Sequence, residues 1–398
     1  MGGGDRVNCR DSMGLAMRLG VLHALVDAAC VAVLYSEVAL DRLPYETLTA
    51  LVLLYNSLAF GLQWLLGIVA DLAGAYRLTA AGGTWLIAAA VITEPIYPWA
   101  GAVLAGIGNA CFHVGAGAVV LRQSRGRAAE CGIFVGPGAM GLATGLWLGL
   151  NSGLWRLPAI VLLLCSNLML LREVLMDSAP APAPLRSPPS HEFSPSPCPA
   201  PRPPGKHPEV SRLLTVPIML LLGSVAIRSG VGGLLSGSWR TSAFAAFSLA
   251  AAAMTGKCIG GLVSDRLGWR VSNTLALLVA APLVAAGLQW FDAALPGMLV
   301  FQFTMPVTLA AVYLALPRWP GFAFGLPCLA LLIGALPELA ALIDPAVFNP
   351  FAAPLILLSA LLLFAGLKKA IWNYELRMKN VGLRDWFLYV HRAFRLRN

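Results

Sequence analysis

The sequence predicts an all-α polytopic membrane protein: twelve transmembrane helices in two pseudo-twofold-related six-helix bundles. Three observations predict it. Hydrophobic residues make up 58% of the 398-residue chain and charged residues only 12%, whereas soluble domains carry about 25% charged residues. Apolar runs recur from Met13 to Leu367, each near the roughly 20 residues a helix needs to cross a bilayer. Their continuous apolarity lacks the alternation that a transmembrane β-barrel requires. Finally, one phrase occurs twice. Gly67, Asp71 and Gly74 with trailing Arg77 match Gly261, Asp265, Arg266, Gly268 and Arg270 in spacing and setting. Repetition over half the length of so apolar a chain points to a two-half carrier.

The first six spans are expected at 13–37, 47–69, 78–93, 99–121, 132–150 and 156–175. The second six are expected at 213–235, 241–263, 271–290, 296–316, 321–342 and 352–367. The domains are therefore an N-terminal bundle (1–176), a Pro/Ser-rich linker (177–210), a C-terminal bundle (211–367) and a basic tail (368–398). Proline at the linker's density forms neither helix nor core, so it reads as extended and disordered.

Lys and Arg mark one side of the bilayer. Arg77, Arg122, Arg125, Arg127, Arg186, Arg202, Lys206, Arg212, Arg266, Arg270 and Arg318 fall in loops of that side. Arg42, Arg156 and Arg240 fall opposite, balanced by Asp41, Glu46, Glu94, Asp292 and Asp344. Both termini and the linker are expected in the cytoplasm, with the chain in the plasma (inner) membrane. No cleavable signal pattern is expected at the N-terminus. The tail holds eight basic and two acidic residues, +6 of the net +9. Leu383, Trp386, Phe387, Val390 and Phe394 share one helical face there. That helix suits an anionic lipid surface or a packing role against the bundle; a nucleic-acid partner is not expected.

The eight cysteines show no metal-ligand spacing and read as small buried apolar residues. No metal, cofactor or enzymatic site is expected. Ionisable groups inside spans are the sharper clue, since each costs about 2.5–3.5 kcal/mol at the bilayer centre unless paired or wet. They are His23, Asp27, His113, Arg228, Lys257 and Glu338. His23 and Asp27 stand four apart on one helix face and can share a proton; the plainer role is a hydrogen bond joining helices. Asn109 and His113 form a second such pair. Arg228 needs an anion, from Asp27, a substrate or helix-end carbonyls. Lys257 is expected to snorkel towards the cytoplasmic surface. Glu338, beside Pro337, is a further pathway carboxylate or a group at the outer mouth. The glycines at 136, 138, 141 and 145, and Pro137, Pro306, Pro327 and Pro337, suit gating segments or close-packed spans.

The repeated loop phrase resembles the signature of the major facilitator superfamily. The first copy has Leu72 where the pattern expects a basic residue. The resemblance implies a rocking two-bundle carrier, with Asp71 and Asp265 as cytoplasmic conformational latches. His23-x3-Asp27, the run Gly108 to His113, the glycines 138, 141 and 145, and Arg228-Ser229 resemble the fosmidomycin-resistance-like branch. Val114 and Gly115 stand where that branch continues Pro-Glu. The resemblance implies a monomeric secondary transporter exporting a small organic solute against inward protons. Asp27 and His23 would be the proton-coupling pair, and Arg228, His113, Asn109 and Glu338 substrate contacts. A facilitator or symporter importing an organic anion, and a transport-inactive sensor of the same fold, are the alternatives.

Overall fold

The computed structural model describes residues 9–39, 44–151, 154–177, 208–234, 242–340, 342 and 345–380. Regular structure among them is helical: α1 (Cys9–Ala39), α2 (Tyr45–Gly61), α3 (Gln63–Ala73), α4 (Tyr76–Thr93), α5 (Pro98–Ser124), α6 (Ala128–Asn151) and α7 (Arg156–Asp177). Then come α8 (Pro208–Leu234), α9 (Ala243–Leu267), α10 (Trp269–Gly287), α11 (Phe291–Phe301), α12 (Thr304–Ala315), α13 (Pro320–Leu339), the short α14 (Pro345–Phe348) and α15 (Ala352–Asn380). Most of the linker, the amphipathic part of the tail, and Arg42, Arg240 and Asp344 lie outside the described residues.

Ten described helical stretches are long and apolar enough to cross a membrane, so this is an integral multi-pass membrane protein. The twelve-span reading has two further members, α4 and α7. The apolar part of α7, Arg156–Leu171, falls short of a full crossing length. At the C-terminal end α15 continues unbroken to Asn380, past the expected limit at 367, because 368–380 holds neither proline nor glycine to stop it.

Two expected spans are each built from a pair of helices. The tenth breaks at Gln302–Phe303 between α11 and α12. Pro306, four residues beyond Gln302, has no N–H to offer that residue's carbonyl. The second breaks at Leu62 without a proline. There Gln63 donates its side-chain amide to the Ala59 carbonyl at 2.7 Å. Pro327 and Pro337, by contrast, are carried inside a continuous α13.

Packing follows one scheme in both halves. α1 lies on α5 and α6, and α4 on α5 and α7; α8 lies on α12 and α13, and α10 on α11 and α15. Across the halves α6 meets α9, and α13 meets α2 and α3. The α1–α6 contact is backbone to backbone. A Cβ on Gly141 or Gly145 would strike the carbonyl oxygen of Ala24 or Ala28, and one on Gly149 would crowd that of Ala32. Small residues four apart thus lay one helix on the other, as membrane packing favours. Of the fifth-span glycines, Gly141 and Gly145 serve this contact, whereas Gly136 packs on Met254 and Cys258 of α9.

Each end of α1 is tied down by a buried carboxylate. Ser12 donates to Glu130 at 3.0 Å, and Arg127 pairs with the same carboxylate. Ser36 donates to Glu94 at 2.7 Å, and Arg156 pairs with Glu94 at 2.9 Å. α1 is therefore held in register against its neighbours, which fixes the heights of His23 and Asp27.

Candidate functional site

Between the halves lies a cavity of about 430 Å³. Its polar wall comes from the middles of α1 and α5. Asn109 Nδ2 donates to Asp27 Oδ1 at 3.2 Å. His23 Nε2 lies 3.1 Å from Asp27 Oδ2, and His113 Nε2 lies 3.6 Å from Oδ1. The two imidazoles meet directly, Nε2 to Nε2, at 2.8 Å. All four residues are buried. The structure thus brings together two residue pairs some 80 to 90 positions apart in sequence.

The proton positions follow from the acceptors. His23 Nδ1 faces the Phe134 carbonyl at 2.9 Å, and His113 Nδ1 faces the Asn109 carbonyl at 2.9 Å. A carbonyl only accepts, so each Nδ1 carries the hydrogen. Each Nε2 then presents a lone pair in the neutral ring. Two lone pairs 2.8 Å apart repel; one proton between them makes a hydrogen bond. One proton between the two Nε2 atoms would therefore close the cluster beside the Asp27 carboxylate.

His23, Asp27 and His113 keep their ligand atoms within 4.8 Å of one another, the one such His/Cys/Asp/Glu set among the described residues. A dication there would face the ammonium of Lys257, which lines the same cavity. Gly138 of α6 is the third wall. A Cβ on it would fall 2.5 Å from His23 Nε2 and 2.7 Å from Asp27 Oδ2, so only glycine leaves the cluster room.

The remaining candidates lie elsewhere. Arg228, buried in α8, donates to the Ser224 carbonyl at 3.2 Å, to Thr308 at 3.2 Å and to Thr304. It is not among the residues lining the cavity. Its hydrogen bonds go to two threonines of α12 in its own half, neutral acceptors that sequence reading did not offer it. Glu338 is exposed near the end of α13, against Gly233 of α8. Gly115 packs against the Tyr76 carbonyl and Ala80 of α4, so a side chain there points away from the cavity.

Lys257 is the cavity residue that sequence reading misplaced. α9 runs to Leu267, beyond the expected end at 263, so Lys257 lies about 15 Å of helix from that terminus. That is farther than a lysine side chain reaches, and the group faces the cavity instead.

The repeated loop phrase forms two matching contacts. Asp71, at the end of α3, accepts from the backbone N–H groups of Gly321 and Phe322 at 2.8 and 2.9 Å. Asp265, in the last turn of α9, accepts from those of Ala128 and Ala129 at 3.1 and 2.9 Å. Each carboxylate closes the first turn of a helix from the other half, α13 or α6, where orphan N–H groups and the helix dipole favour an anion. An aromatic donor completes each: Tyr76 Oη at 3.0 Å for Asp71, Trp269 Nε1 at 2.8 Å for Asp265. Gly74 (φ 64°) and Gly268 (φ 93°) end their helices in the left-handed region that glycine tolerates. Arg270 stacks over Phe364, 5.3 Å from the ring centre, and Arg266 is exposed. Arg77 is half-buried at the start of α4. The donors to Asp265 are thus two backbone N–H groups and Trp269, not Arg266 or Arg270.

No protein-family model matches the sequence, and no curated protein matches it. Solved structures do. The human organic anion transporter MFSD10 (TETRAN) superposes with a TM-score of 0.62 at 15% identity, covering 91% of this chain and 100% of that one. The major facilitator superfamily transporter FucP in its outward conformation gives 0.54 at 12% identity, covering 89% and 99%. The E. coli fucose:proton symporter FucP gives 0.53 at 12% identity, covering 90% and 98%. The chain has the fold of major facilitator superfamily transporters.

Proposed function

We propose that this protein is a secondary transporter that moves a small organic solute by alternating access, with twelve spans in two pseudo-twofold-related bundles and proton exchange as the driving step. One observation carries the reading: the His23–Asp27–His113 cluster, its two Nε2 atoms 2.8 Å apart and in our reading bridged by one proton, stands at mid-span on the wall of a cavity between the halves. Loss of that proton sets two lone pairs and a carboxylate against each other, so the rings must separate. Protonation is thereby tied to geometry, as coupling requires. The other titratable groups on the cavity wall are Tyr35, Tyr55, Lys257 and Cys328. The two aspartate-closed helix ends support a state sealed at the loop-phrase end, which the loop charges assign to the cytoplasm of a plasma-membrane protein.

The first- and fourth-span motifs, which resemble the fosmidomycin-resistance-like branch, favour export by antiport. Import of an organic anion with protons is the second reading, favoured by the cationic Lys257 in the cavity. In proteoliposomes with an imposed pH gradient, solute flux should follow the gradient, and its direction separates the two readings. Asp27→Asn should leave only downhill exchange. Flux in that variant that stays fully gradient-driven would remove Asp27 from the coupling step.

A further inference from the structure

We propose that Lys257 is the anion-binding residue of the cavity and that the cargo is a small amphiphilic monoanion: one carboxylate or phosphonate head on an apolar body. This deepens the transport reading, on which it rests only for the cavity being a cargo site.

Lys257 makes no hydrogen bond and no ion pair with any described residue. An ammonium at membrane depth is costly until an anion or water joins it. Asp27 acts on Lys257 only at a distance, without an ion pair. Its Oδ1 accepts from Asn109 and its Oδ2 lies beside His23 Nε2, so its direct contacts lie within its own half. The charge balance sets the cargo's sign and size. With its shared proton the cluster carries one positive and one negative charge. Lys257 then leaves the cavity at +1, which a monoanion neutralises and a cation does not. The rest of the wall asks for apolar surface: Val31, Leu34, Phe60, Met305, Phe324 and Leu331. A volume of about 430 Å³ lies within the range of small-molecule sites, about 300–1,000 Å³.

Lys257 belongs to α9 and the cluster to α1 and α5, so a cargo anion at Lys257 bridges the halves. Its binding is felt by both, which is what a carrier needs to couple occupancy to rocking. A lysine also suits varied acids, being a flexible point charge with no fixed fork geometry.

The test is equilibrium binding to the full-length protein in phosphatidylcholine nanodiscs, with four probes sharing one apolar body: 4-phenylbutanoate, 4-phenylbutylphosphonate, neutral 4-phenylbutanamide and 4-phenylbutyltrimethylammonium. The two acids should bind at least tenfold more tightly than the amide, and the cation should not bind. Lys257→Gln should erase the preference for acids while keeping the amide's affinity, and Lys257→Arg should retain it. The Lys257 backbone carbonyl packs on Gly132, and side-chain exchange leaves that contact in place. Acid and amide binding equally to the wild type, or an acid preference that survives Lys257→Gln, would overturn the proposal. Adding phosphatidylglycerol decides the source of the anion. Displacement of the acids makes the natural occupant a lipid, and no displacement makes it a soluble acid. The assay needs no gradient, so acid-selective binding without flux in proteoliposomes would sink the transport reading and leave the site standing.

Discussion

Asp71 and Asp265 are each other's counterpart across the two halves. Each carboxylate spans two consecutive backbone N–H groups at the start of a helix in the opposite half, at distances between 2.8 and 3.1 Å. The two contacts seal the same end of the bundle. Charge-assisted bonds to a helix N-terminus contribute up to about 2 kcal/mol each in partly buried settings. Asp71→Asn and Asp265→Asn keep the shape and lose the charge and one acceptor site. Each should shift the population tenfold or so towards a state opened at this end. Spin-label distances between positions 122 and 266, both exposed, should lengthen in variants carrying either substitution. Unchanged distances in the double variant would leave these aspartates as local caps without a conformational role.

The glycine four residues before each aspartate sets how close the halves come. A Cβ on Gly67 would strike the Gly321 backbone, and one on Gly261 the Ala128 carbonyl. Residues four apart share a helix face, so glycine brings the backbones together and the aspartate beyond it reaches the N–H pair. Gly67→Val should therefore open the sealed end as strongly as Asp71→Asn, although the carboxylate remains. Gly74→Ala, where φ is 64°, should cost about 1 kcal/mol of thermal stability and leave the spin-label distances alone. A Gly67→Val protein that stays closed would show that the contact tolerates a side chain.

Gly138 gives a similar test of the proton cluster. A methyl group there meets both His23 Nε2 and Asp27 Oδ2. Gly138→Ala should push the two groups off their hydrogen bonds and reduce gradient-driven flux at least tenfold, with correctly folded protein still recovered. Gly141→Ala is the packing control. Its methyl strikes the Ala24 backbone of α1, so it should lower thermal stability more than coupling. Equal effects of the two on the ratio of driven to downhill flux would reduce Gly138 to a packing residue.

The span pattern, the repeat and the polar pairs on α1 and α5 were all legible in the sequence, because each is local. Periodicity marks a helix, and four-residue spacing marks a shared face. What was not legible depends on contacts between distant helices. Nothing in the spacing of His23 and His113 says that their rings meet at right angles, Nε2 to Nε2. The donors that satisfy Asp71 and Asp265 are backbone N–H groups, which carry no signature in residue type. Lys257 was misread for a measurable reason: the apolar pattern fades at 263, whereas the helix continues to Leu267 and moves the lysine inward. The weakness of α7 as a span also follows from composition, since its C-terminal turns hold Arg172, Glu173 and Asp177.

Arg228 supplies the last test, because its site repeats the architecture of Asp27 with the sign reversed. In the first half a charge on α1 is held by Asn109 and His113, four apart on α5. In the second half a charge on α8 is held by Thr304 and Thr308, four apart on α12. The difference lies in access: Asp27 lines the cavity and Arg228 does not. A buried charge stripped of its partners costs about 3–5 kcal/mol, whereas exchanging it for an apolar side chain of similar volume is often close to neutral. Thr304→Val with Thr308→Val should therefore destabilise the protein more than Arg228→Met does, read as the loss in apparent melting temperature. Arg228→Met should also keep the pH-gradient dependence of flux that Asp27→Asn loses. If Arg228→Met instead abolishes solute binding while the protein remains folded, Arg228 reaches the cargo in another state of the cycle, and its threonine clamp is the resting position of a substrate contact.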